Sequence, residues 1–146
     1  PNSVPLRKRI VIIKGYAMSK ISNAIINITN LRLRTFIGFN PEEKQKLQDV
    51  VINAEIHYPA SQLCLSDQVE GALDYTVITK QIIAHVEHGQ FLLLEKLVSD
   101  VLNICSEHPW VCYAKVKIDK PHALRFADSV SLTLEYLRDE TKLGGS

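Results

Sequence analysis

Hydrophobic and polar positions follow two periods along this chain, and the switch between them lays out the elements. From Ile25 the period is two: Ile26 and Ile28 alternate with polar neighbours, the phase slips at Asn30, and Leu31, Leu33 and Thr35 resume it. The slip predicts a β-bulge at Thr29–Asn30, where one extra residue shifts the alternation. Gly38 to Leu47 is polar and turn-like, with Pro41-Glu42-Glu43-Lys44 inside it. Val50, Ile52, Ala54, Ile56 and Tyr58 then share one face of a second strand, closed by Pro59. Val51, Asn53, Glu55 and His57 occupy its other face. The two strands read as a hairpin.

Ser61 to Asp74 is irregular, with Ser66 and Asp67 offering cap chemistry for a short turn. The period then becomes helical. Ile78, Ile82 and Val86 predict a helix over Tyr75–Glu87, ended by His88-Gly89. Leu94, Leu97, Val98, Val101, Leu102 and Cys105 form a stronger stripe, a second helix stopped by Pro109. Alternation returns with Trp110, Cys112, Ala114, Val116 and Ile118 against Val111, Tyr113, Lys115, Lys117 and Asp119. A last strand sets Val130, Leu132, Leu134 and Tyr136 against Ser129, Ser131, Thr133 and Glu135.

The order is ββααββ, an α+β fold in which two helices cover one face of a four-stranded antiparallel sheet. The uncovered face, with Asn53, Glu55, His57, Lys115 and Lys117, is expected to be wet. Four strands leave two open edges, and a closed ring of subunits would remove them while enclosing the polar face in a wide barrel.

The ends of the chain read differently. Residues 1–17 carry Arg7-Lys8-Arg9 before the short run Ile10-Val11-Ile12-Ile13, too short for a signal segment. Met18 is the single methionine, so 1–17 reads as an upstream or artificially added extension, with an edge strand at Ile10–Ile13 as the competing reading. Residues 18–138 form one domain, and 139–146 a flexible tail.

Composition narrows the function. Seventeen basic against 16 acidic residues, net +1, argues against a general nucleic-acid binder. No apolar run is long enough to span a bilayer. Cys64, Cys105 and Cys112 are odd in number and lack C-x-x-C spacing, usage that suits a reducing cytoplasm. The five histidines show no zinc-binding pattern, and glycine-rich phosphate loops and G-x-S-x-G are missing, so no metal or cofactor is expected. What remains is polar residues at element ends: Glu43, Tyr75, Glu95 and Lys120. Lys120 closes an alternating run, Pro121 stops that run, and His122 and Arg125 follow as neighbouring cations.

Four runs in this order, Leu31-Arg32-Leu33-Arg34-Thr35-Phe36-Ile37-Gly38, Ala72-Leu73-Asp74-Tyr75, Leu93-Leu94-Glu95 and Lys120-Pro121-His122-Ala123-Leu124-Arg125, resemble the dihydroneopterin aldolase family. Within it they look most like the epimerase branch, which acts on dihydroneopterin triphosphate. Phe36-Ile37 stands where many aldolases have Tyr-His. The resemblance implies a tunnelling fold (T-fold): tetrameric rings stacked into a homo-octamer, with active sites between neighbouring subunits. It implies Lys120, Tyr75 (from the adjacent subunit) and Glu43 as catalytic groups. Glu95, Leu94, Leu73 and Gln48 would bind the pterin, while His122, Arg125, Arg32 and Arg34 are candidates for phosphate contacts, with Lys115 and Lys117 behind them. The implied reaction inverts the side-chain 2′ carbon by retro-aldol and aldol steps. Aldolase cleavage in folate synthesis is the alternative, and a noncatalytic pterin-binding ring the third reading.

Overall fold

The computed structural model describes residues 21–60, 65–69 and 71–139. The expectations for residues 1–17 and for Cys64 lie outside them, as does the tail beyond Asp139. Two compact units are present. In the smaller, Pro1–Ala24 with Pro59–Ala72, the described residues include a turn in which Asp67 takes φ 65°, and Ala72 N–H donates to the Val69 carbonyl at 3.1 Å.

The larger unit, Ile25–Tyr58 with Leu73–Ser146, holds the core. Its elements are β1 (Ala24–Ile37), β2 (Gln48–Tyr58), α1 (Tyr75–Glu87), β3 (Gln90–Phe91), α2 (Leu94–Ser106), β4 (Tyr113–Pro121) and β5 (Ser129–Leu137). A 3-10 turn, Glu43–Gln45, lies between β1 and β2. The sheet has five strands in the order β3-β1-β2-β4-β5. β2–β4 and β4–β5 are antiparallel. β1 runs antiparallel to β2 as well, since Asn30 contacts Asn53 while Arg34 contacts Asp49. The expected sheet of four strands is therefore extended by β3, which pairs parallel to β1 through Phe36–Gln90 and Ile37–Phe91. Two residues are too few to show a period.

The bulge is where the pattern slips. Asn30 takes φ 54° inside β1, and both Thr29 and Asn30 are exposed before burial resumes at Leu33, Thr35 and Ile37. Asparagine tolerates this left-handed geometry better than most residues. Its backbone N–H donates to Asn53 Oδ1 at 2.9 Å, and Asn53 Nδ2 returns a bond to Asn30 Oδ1 at 3.2 Å.

The two helices pack on one sheet face. α1 turns Ile78, Ile82 and Val86 inward, and Asp74 caps it by accepting from Thr76 N–H at 2.9 Å. α2 buries Leu97, Val98, Val101, Leu102 and Cys105 against Val50, Ile52, Ile56, Val116 and Ile118. The helices are antiparallel: His85 meets Asp100 at 2.8 Å, and Gln81 and Ile104 border the same groove. α2 ends at Ser106, short of Pro109.

One strand start differs from the expected alternation. The period puts Trp110 and Cys112 on the core row of β4, yet the strand begins at Tyr113 and Val111 is the buried residue, at 1% exposure. A turn closed by Val111 N–H on the His108 carbonyl shifts the phase there.

A candidate active site split between two ends of the fold

Lys120 is the last residue of a core-facing row. Ala114, Val116 and Ile118 precede it at spacing two and are fully buried, so Lys120 projects to the helix side of the sheet. Its side chain is 12% exposed. Burial of an ammonium needs a partner, and Glu43 supplies it: Nζ lies 3.1 Å from Oε2. His122 opens the turn directly after Pro121, whereas Lys120 belongs to the core-facing row. Its immediate neighbour is an acid.

Glu43 is held from several directions. Lys120 and the Gln48 side chain hydrogen-bond its carboxylate, and Asn40 N–H donates to Oε1 at 3.4 Å. Burial pushes its pKa up, but these bonds and the Lys120 charge outweigh that and leave it below the ordinary carboxylate value. Gln48 also donates to the Ile37 carbonyl at 2.6 Å, fixing the end of β2 to the end of β1. Gly38 makes the arrangement possible. Its φ is 132°, a region L side chains rarely adopt, and a Cβ there would fall on the Glu43 carboxylate.

Glu95 sits at the same end of the sheet. Gly38 N–H donates to the Phe91 carbonyl at 2.9 Å, and α2 begins three residues later at Leu94. Glu95 is exposed in the first turn of α2, and Leu93 at the cap position makes no side-chain hydrogen bond to the helix start. Leu94 is half-buried beside it. A carboxylate and free backbone N–H groups at a helix start can together hold a planar ring edge that both donates and accepts.

Tyr75 and Leu73 lie elsewhere. Tyr75 is 61% exposed at the start of α1, and Leu73 is buried just before it. Because α1 and α2 are antiparallel, Tyr75 and Glu95 occupy opposite ends of the helix pair, about 20 Å apart at the usual rise per residue. Within one chain they do not meet. Of the remaining candidates, His122, Arg32 and Arg34 border one recess on the opposite sheet face. Arg125 stands apart, with its guanidinium 5.3 Å from the Phe126 ring centre. A larger groove along the helix pair, lined by His85, Asp100 and Leu93 among others, contains none of the catalytic candidates.

Residues 26–135 match the family model described as dihydroneopterin aldolase, FolB. The chain belongs to the dihydroneopterin aldolase family. It is 59% identical over 115 residues to the dihydroneopterin triphosphate 2′-epimerase of Escherichia coli, covering 79% of this chain and 96% of that protein. Against the enzyme of the same description from Pseudomonas aeruginosa the identity is 52% over 111 residues, 76% of this chain and 90% of the other. The crystal structure of E. coli dihydroneopterin aldolase in complex with neopterin superimposes with a TM-score of 0.71 at 26% identity, covering 77% of this chain and 98% of that one. The fold is thus the T-fold of this family. Among the described residues no cluster of three or more His, Cys, Asp or Glu could hold a metal, and no helix is long and apolar enough to cross a membrane.

Proposed function

We propose that the protein is a dihydroneopterin triphosphate 2′-epimerase. Its similarity to two such epimerases over at least nine-tenths of their length carries this reading. In it Glu95 accepts two hydrogen bonds from the guanidine-like edge of the pterin, and Leu94 and Leu73 border the ring. The Glu43–Lys120 pair takes the proton from the side-chain 2′ hydroxyl, with Gln48 holding Glu43 in place. As that oxygen becomes a carbonyl, the bond between carbons 1′ and 2′ breaks and its electrons pass into the pterin's own ring imine. The products held in the site are an aldehyde and an enamine. Turning the aldehyde over and re-forming the bond returns the electrons, and the oxygen takes back its proton on an inverted 2′ carbon. Tyr75 moves a proton at the pterin side.

The 20 Å between Tyr75 and Glu95 supports a site shared by two subunits, and the open strand edges support closure into a ring. We place these sites in a homo-octamer of two tetrameric rings. Among the described residues Cys105 is a buried free thiol, a usage suited to the cytoplasm. A second reading, cleavage of dihydroneopterin to a hydroxymethyl pterin, draws on the likeness to the neopterin-bound aldolase. Protonation of the enamine before the aldehyde re-adds would give that outcome from the same site.

The test is to incubate purified protein with dihydroneopterin triphosphate and with dihydroneopterin and to resolve the products. The triphosphate should yield the 2′ epimer as the main product. Cleavage dominating on both substrates would replace the first reading with the second.

A further inference from the structure

The outer face of β1 carries two cations that the proton-transfer pair does not use. Arg32 and Arg34 are two residues apart, so both project from the face away from the helices, and both are exposed. With Asp49, Pro121 and His122 they border a recess of about 290 Å³. Arg34 is anchored: Nε lies 3.2 Å from Asp49 Oδ1, and Nη2 donates to the Leu47 carbonyl at 3.3 Å. Arg32 has no ion pair among the described residues. His122 takes φ 66° directly after Pro121, a left-handed conformation uncommon for a non-glycine residue, and borders the recess. Two guanidinium groups against one carboxylate leave the recess positive.

The recess adjoins the candidate site through the chain itself. Leu47 and Asp49, the two anchors of Arg34, flank Gln48, which holds Glu43. Pro121 and His122 follow Lys120 directly. The proton-transfer pair and the recess therefore occupy the two faces of the same strand ends. About 290 Å³ is at the lower limit for a site that encloses a small molecule, so the recess suits a tail rather than a ring with its tail.

We propose that Arg32, Arg34 and His122 form the subsite for the triphosphate tail of the substrate, and that Arg125 lies outside it. The identity of the tail rests on the epimerase reading above. Guanidinium groups match phosphate oxygens with paired, charge-assisted donors. Asp49 keeps one of them oriented and leaves the other free to engage the ligand.

The experiment compares wild type with Arg32→Ser, an exposed substitution whose folding is verified by an unchanged thermal melt. KM for dihydroneopterin triphosphate should rise by about tenfold or more, the loss expected for a charged hydrogen bond. KM for dihydroneopterin should stay within about twofold, as its pterin contacts are untouched. In parallel, inorganic tripolyphosphate is titrated calorimetrically. Wild type should bind it more weakly as salt rises, and Arg32→Ser should bind it about tenfold more weakly than wild type. Equal shifts in the two KM values would overturn the subsite. So would a changed KM ratio in Arg125→Ser with none in Arg32→Ser. If wild type turned over neither pterin while Arg32→Ser lost tripolyphosphate binding, the subsite would stand and the epimerase reading would fall.

Discussion

Gly38 and Glu43, both far from it in sequence, account for the local chemistry at Lys120. Gly38 leaves room, Glu43 fills it, and Lys120 is drawn to the carboxylate at 3.1 Å. Both charged side chains are largely withdrawn from water, at 26% and 12% exposure, so each depends on the other. The pH dependence follows from Glu43. Its folded pKa is lowered, so its contribution to stability is complete above the unfolded carboxylate value and is lost as pH falls through the folded one. Lys120→Met retains the stem and removes the charge. At neutral pH it should destabilise the protein by about 1 kcal/mol, the loss of one charge-assisted bond to a half-buried carboxylate that keeps its Gln48 and Asn40 contacts. The gap between wild type and variant should narrow as Glu43 becomes protonated. Urea unfolding at fixed protein concentration, run at neutral and at acid pH, measures it. A gap of the same size at both would remove the ion pair as its source.

At the scale of elements, the bulge in β1 keeps two functions in phase. Beyond Asn30 the strand presents Leu33, Thr35 and Ile37 to the core and, alternating with them, Arg32 and Arg34 to the outer face. Forcing Asn30 out of φ 54° would slip that register. Asn30→Val should cost about 1–3 kcal/mol, because a β-branched residue resists the left-handed region, whereas Asn30→Gly should cost less. Thermal melts of the two variants check the order; a valine variant as stable as the glycine one would show that the bulge is not under this constraint. This bulge was legible because a slip in a strict period of two has few causes. The helices were legible for the same reason, since Ile78, Ile82 and Val86 repeat every fourth residue. β3 was not, because two residues carry no period, and the start of β4 misled because the turn at His108–Val111 moves the phase without altering composition. For the site, Lys120, Glu43, Tyr75 and Glu95 stood out at element ends, and the family resemblance supplied roles for them. The contact between Glu43 and Lys120 was invisible. Seventy-seven residues separate them, and only the docking of the 3-10 turn against the end of β4 joins them.

For the whole molecule, the antiparallel helix pair sets the main consequence. It puts Tyr75 at one end and Glu95, with Glu43 and Lys120, at the other, so under the proposed function one chain would hold two half-sites. A ring in which the same interface repeats would bring the Tyr75 end of each subunit to the Lys120 end of the next, as a heterologous contact requires. Mixing then gives a test that single variants do not. Tyr75→Ala and Lys120→Ala should each be nearly inactive alone. After the two are denatured and refolded together in equal amounts, an interface joining the Tyr75 of one variant to the Lys120 of the other contains both native groups. Random assembly makes such interfaces about a quarter of the total, so activity should recover to roughly that fraction of wild type. Refolding each variant separately and then combining them should recover far less, provided the assembled rings do not exchange subunits during the assay. Recovery near zero in the co-refolded sample, with light scattering showing mixed rings, would place Tyr75 and Lys120 in the same chain's site and require a helix arrangement other than the one described.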